Sequence, residues 1–295
     1  IVCTSKPGDG LLCYSYEHCC YLNSIGIEAQ LVIITHYNFS KKHYIDAITE
    51  KYKTCTNIIF DFYTPESNDI TFILGRSMLT LLWKSRDEYS TDQLMTGHLL
   101  FNNKLISVYS ENHVKEYPIA LEYFKPKEVY DLCDYDVYPN GVGTQYEKMI
   151  NFEEYKPVKN DVQFEYLFLG TNDVYYKEVD RWIKECPRCF TSHGILTYDE
   201  DYIIMDHNNI FAPVHNLLGL FNTYVYTKNY YDPAPRLIQE CKWLGKNIEY
   251  LRDKNIKDGG PVYMKRPVPT KKMYSDNAEV LVKLIETINE KNIIS

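Results

Sequence analysis

An α/β fold in two successive halves is what this sequence predicts, on three observations. Short apolar runs alternate with stretches of helical periodicity in both halves, as parallel sheets covered by helices require. Residues 27–35 form a nearly continuous apolar run rich in β-branched side chains, the pattern of a strand buried on both faces. At 295 residues the chain is long for one such domain and comfortable for two of about 140 each.

The elements follow in order. A short strand at 1–4 leads through Lys6-Pro-Gly-Asp-Gly10 into a helix at 11–24 that ends near Gly26, a C-terminal cap signal. Further strands are expected at 57–62, 70–74 and 104–109, with helices at 41–53 and 76–84. Residues 129–142 close the first half at Pro139-Asn140-Gly141, a turn by its chemistry alone. The domains are therefore drawn as 1–147 and 162–295, with the polar stretch 148–161 as linker. The second half alternates again. It runs through a strand at 164–169, a loop at 170–173 and a helix at 175–185, with strand-like runs at 201–205 and 217–227. A helix at 235–244, a strand at 247–251 and an amphipathic helix at 277–291 complete it. That last helix has the option of packing back on the first half. Two such halves match two facing Rossmann-like domains, whose ligands bind beyond the carboxyl ends of the strands.

Composition sets limits. No run of 18 or more apolar residues occurs, so no membrane span is expected. Nine Cys without regular spacing read as reduced core residues of a cytoplasmic protein. No signal peptide is visible, although the chain opens at Ile1 without Met and an address ahead of it stays open. A net charge of −8 argues against non-specific nucleic-acid binding while leaving room for a local basic groove. The 28 Tyr, with abundant Asn, Ile and Lys, point to an AT-rich genome, phages among the candidate sources.

Chemistry concentrates in Asp232-Pro-Ala-Pro-Arg-Leu-Ile-Gln-Glu240. Pro235 suits the first turn of a helix, which puts Asp232 on the preceding loop and Glu240 one turn beyond Arg236 on the same face. Free N–H groups at a helix start, with an added guanidinium, favour a phosphorylated ligand. A carboxylate one turn deeper suits ribose or sugar hydroxyls, because it only accepts hydrogen bonds. The bland alternative is a capped helix with a surface Arg–Glu pair.

An acid, seven residues and a Glu at the start of a late helix resemble the donor-site motif of GT-B glycosyltransferases. The resemblance implies two facing Rossmann-like domains, a nucleotide-sugar co-substrate and no essential metal. It assigns Asp232 to the donor sugar and Glu240 to the ribose, with Arg236 standing where many members carry small or aromatic residues. The Pro139-Asn140-Gly141-Val142 turn is similar to the segment leaving the N-terminal domain in that class. It also implies cleft loops at Gly8 and Gly10 and at Gly170, with Lys177 or Arg181 near the diphosphate. Gly-Asp-Gly is equally a plain strand-to-helix turn, and Lys177 equally an exposed helix charge.

Transfer needs a base or a charge-stabilising group, and the resemblance implies that it comes from the first half, where such enzymes bind acceptor. Glu111 and His113, just after the strand ending near 109, are the first candidates; Asp61 and His36, at other strand ends, compete with them. Phage enzymes that glycosylate hydroxymethylated cytosine resemble this arrangement. The expected acceptor is therefore double-stranded DNA containing hydroxymethylcytosine. A glycan, lipid or protein acceptor, or a two-domain binding protein without chemistry, remains the alternative. Cys186-Pro-Arg-Cys189 has no second pair nearby for zinc. Asp134-Tyr-Asp136 precedes a domain-closing turn, the wrong place for a metal motif.

Overall fold

The computed structural model describes residues 1–4, 6–35, 39–53, 57–74, 76–108, 116–137, 141, 143–168, 189–191, 214–226, 235–250 and 259–294. The chain divides into two compact units, Ile1–Tyr155 with Pro269–Ser295, and Lys156–Val268.

The first unit holds a seven-stranded parallel sheet. Its elements are β1 (Val2–Cys3), α1 (Gly10–Ser24), β2 (Leu31–Ile33), α2 (Lys41–Lys51), β3 (Ile58–Phe60), β4 (Ile70–Leu74), α3 (Arg76–Lys84), α4 (Thr91–Phe101), β5 (Lys104–Val108), α5 (Glu116–Phe124), β6 (Glu128–Cys133) and β7 (Thr144–Gln145). The strand order is β3-β2-β1-β4-β5-β6-β7. Strand β2 is shorter than the apolar run 27–35 that announces it, because pairing with β1 and β3 covers only Leu31 to Ile33. Helix α1 begins at Asp9, whose side chain accepts from Leu11 N at 3.2 Å, and is followed by Gly26 at φ +86°. Nine of its residues, including Glu17 and His18, are buried, so it is covered nearly all round.

Buried polar groups on α1 tie down the end of the first unit. His18 Nδ1 donates to the Tyr14 carbonyl at 2.7 Å, and its Nε2 shares a hydrogen bond with Tyr146 Oη at 2.7 Å. Burial pushes the Tyr146 phenol up, keeping it a proton donor. Glu17 accepts from Tyr52 Oη at 2.8 Å and from Asn151 N at 3.4 Å. Asp134, first residue of the Asp-Tyr-Asp triplet, is fully buried and accepts from Lys148 N at 3.2 Å. The stretch 148–161 thus divides: its part up to Tyr155 lies on the first unit, and Lys156 opens the second.

The second unit carries a four-stranded parallel sheet of β8 (Phe164–Phe168), β9 (Cys189–Thr191), β10 (Phe221–Tyr226) and β11 (Asn247–Tyr250), in the order β11-β10-β8-β9. Helix α6 (Val214–Leu217) precedes β10, and α7 (Arg236–Trp243) and α8 (Gly260–Lys265) complete the unit. At Gly219 a Cβ would collide with the Lys159 carbonyl, so only glycine lets these backbones meet. The last helix, α9 (Lys271–Ile294), belongs to the first unit. Asn277 fixes it there, accepting from Glu147 N at 3.0 Å and donating to the Glu147 carbonyl at 2.9 Å.

Candidate functional sites

Parallel sheets bind ligands beyond their carboxyl ends, where the strand order reverses. In the first unit that reversal lies between β1 and β4, since β2 and β3 stack to one side of β1 and β4 to β7 to the other. The loop after β1 carries Gly8 at φ +75°. Gly10 is already the first residue of α1, and the Asp9 carboxylate occupies that helix start by accepting from Leu11 N. A negative group there repels phosphate and takes up an N–H that a phosphate would use. This loop suits hydroxyl groups better than a diphosphate.

Asp61 sits just past β3, at the carboxyl edge of the same sheet. Its backbone has φ +67°, and Phe62 N donates to the Phe60 carbonyl at 2.8 Å across it. A three-residue turn closed over a positive φ is rare and strained, and for Asp it persists because the side chain is fixed. Asp61 Oδ1 accepts from Thr35 N at 2.9 Å, Thr35 Oγ1 at 2.6 Å and Gln93 Nε2 at 3.3 Å. Lys41 Nζ lies 3.6 Å from Oδ2. Gln93 also donates to the Thr35 carbonyl at 3.0 Å while its Oε1 accepts from Ser90 N, a reciprocal cap at the start of α4. Three elements thus meet on one carboxylate.

Burial opposes ionisation of Asp61, but the Thr35 hydroxyl and amide, Gln93 and Lys41 outweigh it and hold the carboxyl below its ordinary value. A folded-state value below the unfolded one contributes stability above the unfolded value, and that contribution is lost as pH falls through the folded one. Wild type should therefore lose stability below about pH 4, the ordinary Asp value, more steeply than Asp61→Asn. Denaturant midpoints between pH 6 and pH 2 test this (roughly the window over which such a group titrates); parallel curves would show that the network is idle.

In the second unit the reversal lies between β8 and β10, which end at Phe168 and Tyr226. Gly170 and Asp232 follow those two strands in sequence and lie outside the described residues, as do Lys177 and Arg181. Helix α7 then opens at Pro235, with Arg236 and Glu240 on one face. Arg236 Nε donates to Glu240 Oε1 at 3.0 Å, and the side chains are only 7% and 2% exposed. Spacing alone describes a surface pair; the structure buries it. Gln239 lies beside it, 2% exposed, its Nε2 donating to the Tyr263 carbonyl at 3.1 Å and its Oε1 buried without a partner among the described residues.

Lys242, one turn on, donates to the carbonyls of Met264 at 3.0 Å and of Arg266, closing the carboxyl end of α8 as a cation should. Burial lowers its ammonium below the usual lysine value. Tyr226 and Tyr250, paired in register at the ends of β10 and β11, stack with ring centroids 5.4 Å apart and 9° between planes.

Glu111, His113 and His36 lie outside the described residues. Thr35, Lys41 and Gln93 are the site residues that sequence inspection missed. For Gln93 a signal existed, since Ser90-x-x-Gln93 is a capping-box pattern. Among the described residues no group of three or more His, Cys, Asp or Glu is placed to hold a metal ion. Among them, too, no helix is long and apolar enough to cross a membrane. Comparison with protein-family models, curated proteins and solved structures finds no match to this chain.

Proposed function

We propose that this protein is a glycosyltransferase that moves a sugar from a nucleotide-sugar donor to a hydroxyl acceptor, with hydroxymethylated cytosine in DNA as that acceptor. The observation that carries the proposal is the pairing of a parallel-sheet switch point, between β8 and β10, with α7, which comes after β10 in sequence and bears a buried Arg236–Glu240 pair. Buried ion pairs are costly to maintain and gain a purpose where charge must be held for a ligand. The Gln239 oxygen beside it, without a partner among the described residues, adds a buried hydrogen-bond acceptor.

In this reading the second unit binds the nucleotide sugar and the first presents the acceptor. Glu240 orients the Arg236 guanidinium, which offsets negative charge developing on the departing diphosphate. The acceptor oxygen bonds to the anomeric carbon as the carbon–diphosphate bond breaks. The bonding pair leaves with the diphosphate, and the hydroxyl proton passes to Glu111. The Asp61 carboxylate, already loaded with donors, serves to orient rather than to deprotonate.

Thermal unfolding with a panel of nucleotide sugars tests the donor. The matching one at 100 times its Kd adds about 2.7 kcal/mol of stability. Labelled sugar should then pass to hydroxymethylcytosine duplex and not to unmodified duplex, the rate falling steeply with salt. Stabilisation by no nucleotide sugar would end the proposal. Stabilisation without transfer to any hydroxyl or to water would make this a binding protein. Transfer to a glycan or lipid alone would remove DNA as acceptor.

A further inference from the structure

Beside the strained turn at Asp61 stands Phe62, whose side chain is the most exposed of the large apolar residues described, at 57%. A single exposed apolar side chain is ordinary on a protein surface; what sets Phe62 apart is its place just past β3, at the carboxyl edge where parallel sheets take their ligands. Phe62 N closes the turn over Asp61, whose Oδ1 is taken by Thr35 and Gln93; among the described residues Oδ2 has Lys41, at 3.6 Å. Lys41 is 61% exposed, and such a pair contributes little in water, so Oδ2 can exchange this partner for another.

We infer that this corner of the first unit recognises a ring with an apolar face and a hydroxyl at its edge, Phe62 stacking on the face and Asp61 Oδ2 accepting from the hydroxyl. A carboxylate with one oxygen fixed presents the other in a defined direction and cannot donate, so it selects O–H or N–H groups. An aromatic face takes nucleobases and the apolar faces of sugars alike. The turn closed over Asp61, at φ +67°, sets Phe62 directly after that carboxylate in the chain. That the ring is the acceptor of sugar transfer rests on the proposed function; that it binds here does not.

The test measures binding of hydroxymethyl-deoxycytidine, deoxycytidine and methyl glucoside to the full chain by calorimetry, with nucleotide-sugar binding measured in parallel. At least one hydroxyl-bearing probe should bind wild type. Phe62→Ala should weaken it about tenfold, the low end of a lost stacking contact. Asp61→Asn, which tolerates the positive φ and replaces Oδ2 by a donor, should weaken it similarly, and neither variant should change nucleotide-sugar affinity. Preference for hydroxymethyl-deoxycytidine over deoxycytidine marks a base ring, and preference for the glucoside a sugar ring. If Asp61→Asn fails to fold, Phe62→Ala decides alone. No probe bound by wild type, or unchanged affinity in folded Phe62→Ala, overturns the inference. Ring binding with no nucleotide-sugar binding would leave it standing while the glycosyltransferase proposal falls.

Discussion

Glu240→Ala should destabilise the second unit by about 3–5 kcal/mol, the cost of leaving a buried charge without its partner. The Arg236 guanidinium is 7% exposed, and its Nε is held by Glu240 Oε1 at 3.0 Å. It also lies at the first position of α7, where the helix dipole is unfavourable to a cation. Removing Glu240 takes away the carboxylate held against its Nε. Thermal unfolding should shift by roughly 10 °C or more. A companion variant separates stability from binding. Arg236→Met with Glu240→Leu replaces the pair by apolar groups of similar size, a change that is often neutral or stabilising. That double variant should unfold near the wild-type temperature yet lose stabilisation by the matching nucleotide sugar. A Glu240→Ala protein that melts with wild type would show the pair to be unimportant to the fold. A double variant that still gains stability from the nucleotide sugar would remove it from the donor site.

Glu111→Gln should lower turnover by about 10²-fold or more while leaving donor affinity and fold unchanged, the range for loss of a general base. Glu111 follows β5 in sequence, and β5 pairs with β4, one of the two strands at the switch point. Asp61 is the weaker choice for proton transfer on two grounds. Its carboxyl is held below the ordinary value, which makes it a poor base near neutrality. Its Oδ1 is already engaged by three donor groups. The amide of Gln keeps the size of Glu but cannot take a proton, so steady-state transfer assays read the chemistry directly. Full activity in this variant would move the role to His113 or His36, or to a mechanism that retains configuration without a base.

Local pattern carried much of the fold. Strand β4 at Ile70–Leu74 and helix α3 at Arg76–Lys84 coincide with their sequence expectations, and α7 differs only by a residue at each end. Each has a clean period or a sharp punctuation mark, Pro235 being the plainest. Helices α4 and α5 have no counterpart among the elements that the sequence predicts. Gly97 interrupts the first, and Pro118 in the second, tolerated in a first helical turn, reads from sequence as a breaker. Asp134 of the Asp-Tyr-Asp triplet is a buried hydrogen-bond acceptor for the backbone of Lys148, a role its position in sequence does not announce.

By itself the sequence determined the α/β class, two parallel-sheet halves and the shared face of Arg236 and Glu240, because period and i, i+4 spacing are properties of the chain alone. Tertiary structure decided what those residues experience. Burial turned a surface-like pair into a desolvated one, since exposure depends on what packs over α7 rather than on its spacing. It likewise brought Thr35 and Gln93, 26 and 32 positions away, onto one oxygen of Asp61. The order in which strands enter a sheet sets such meetings, and contacts between distant segments follow from how whole elements pack, which no local window of residues contains.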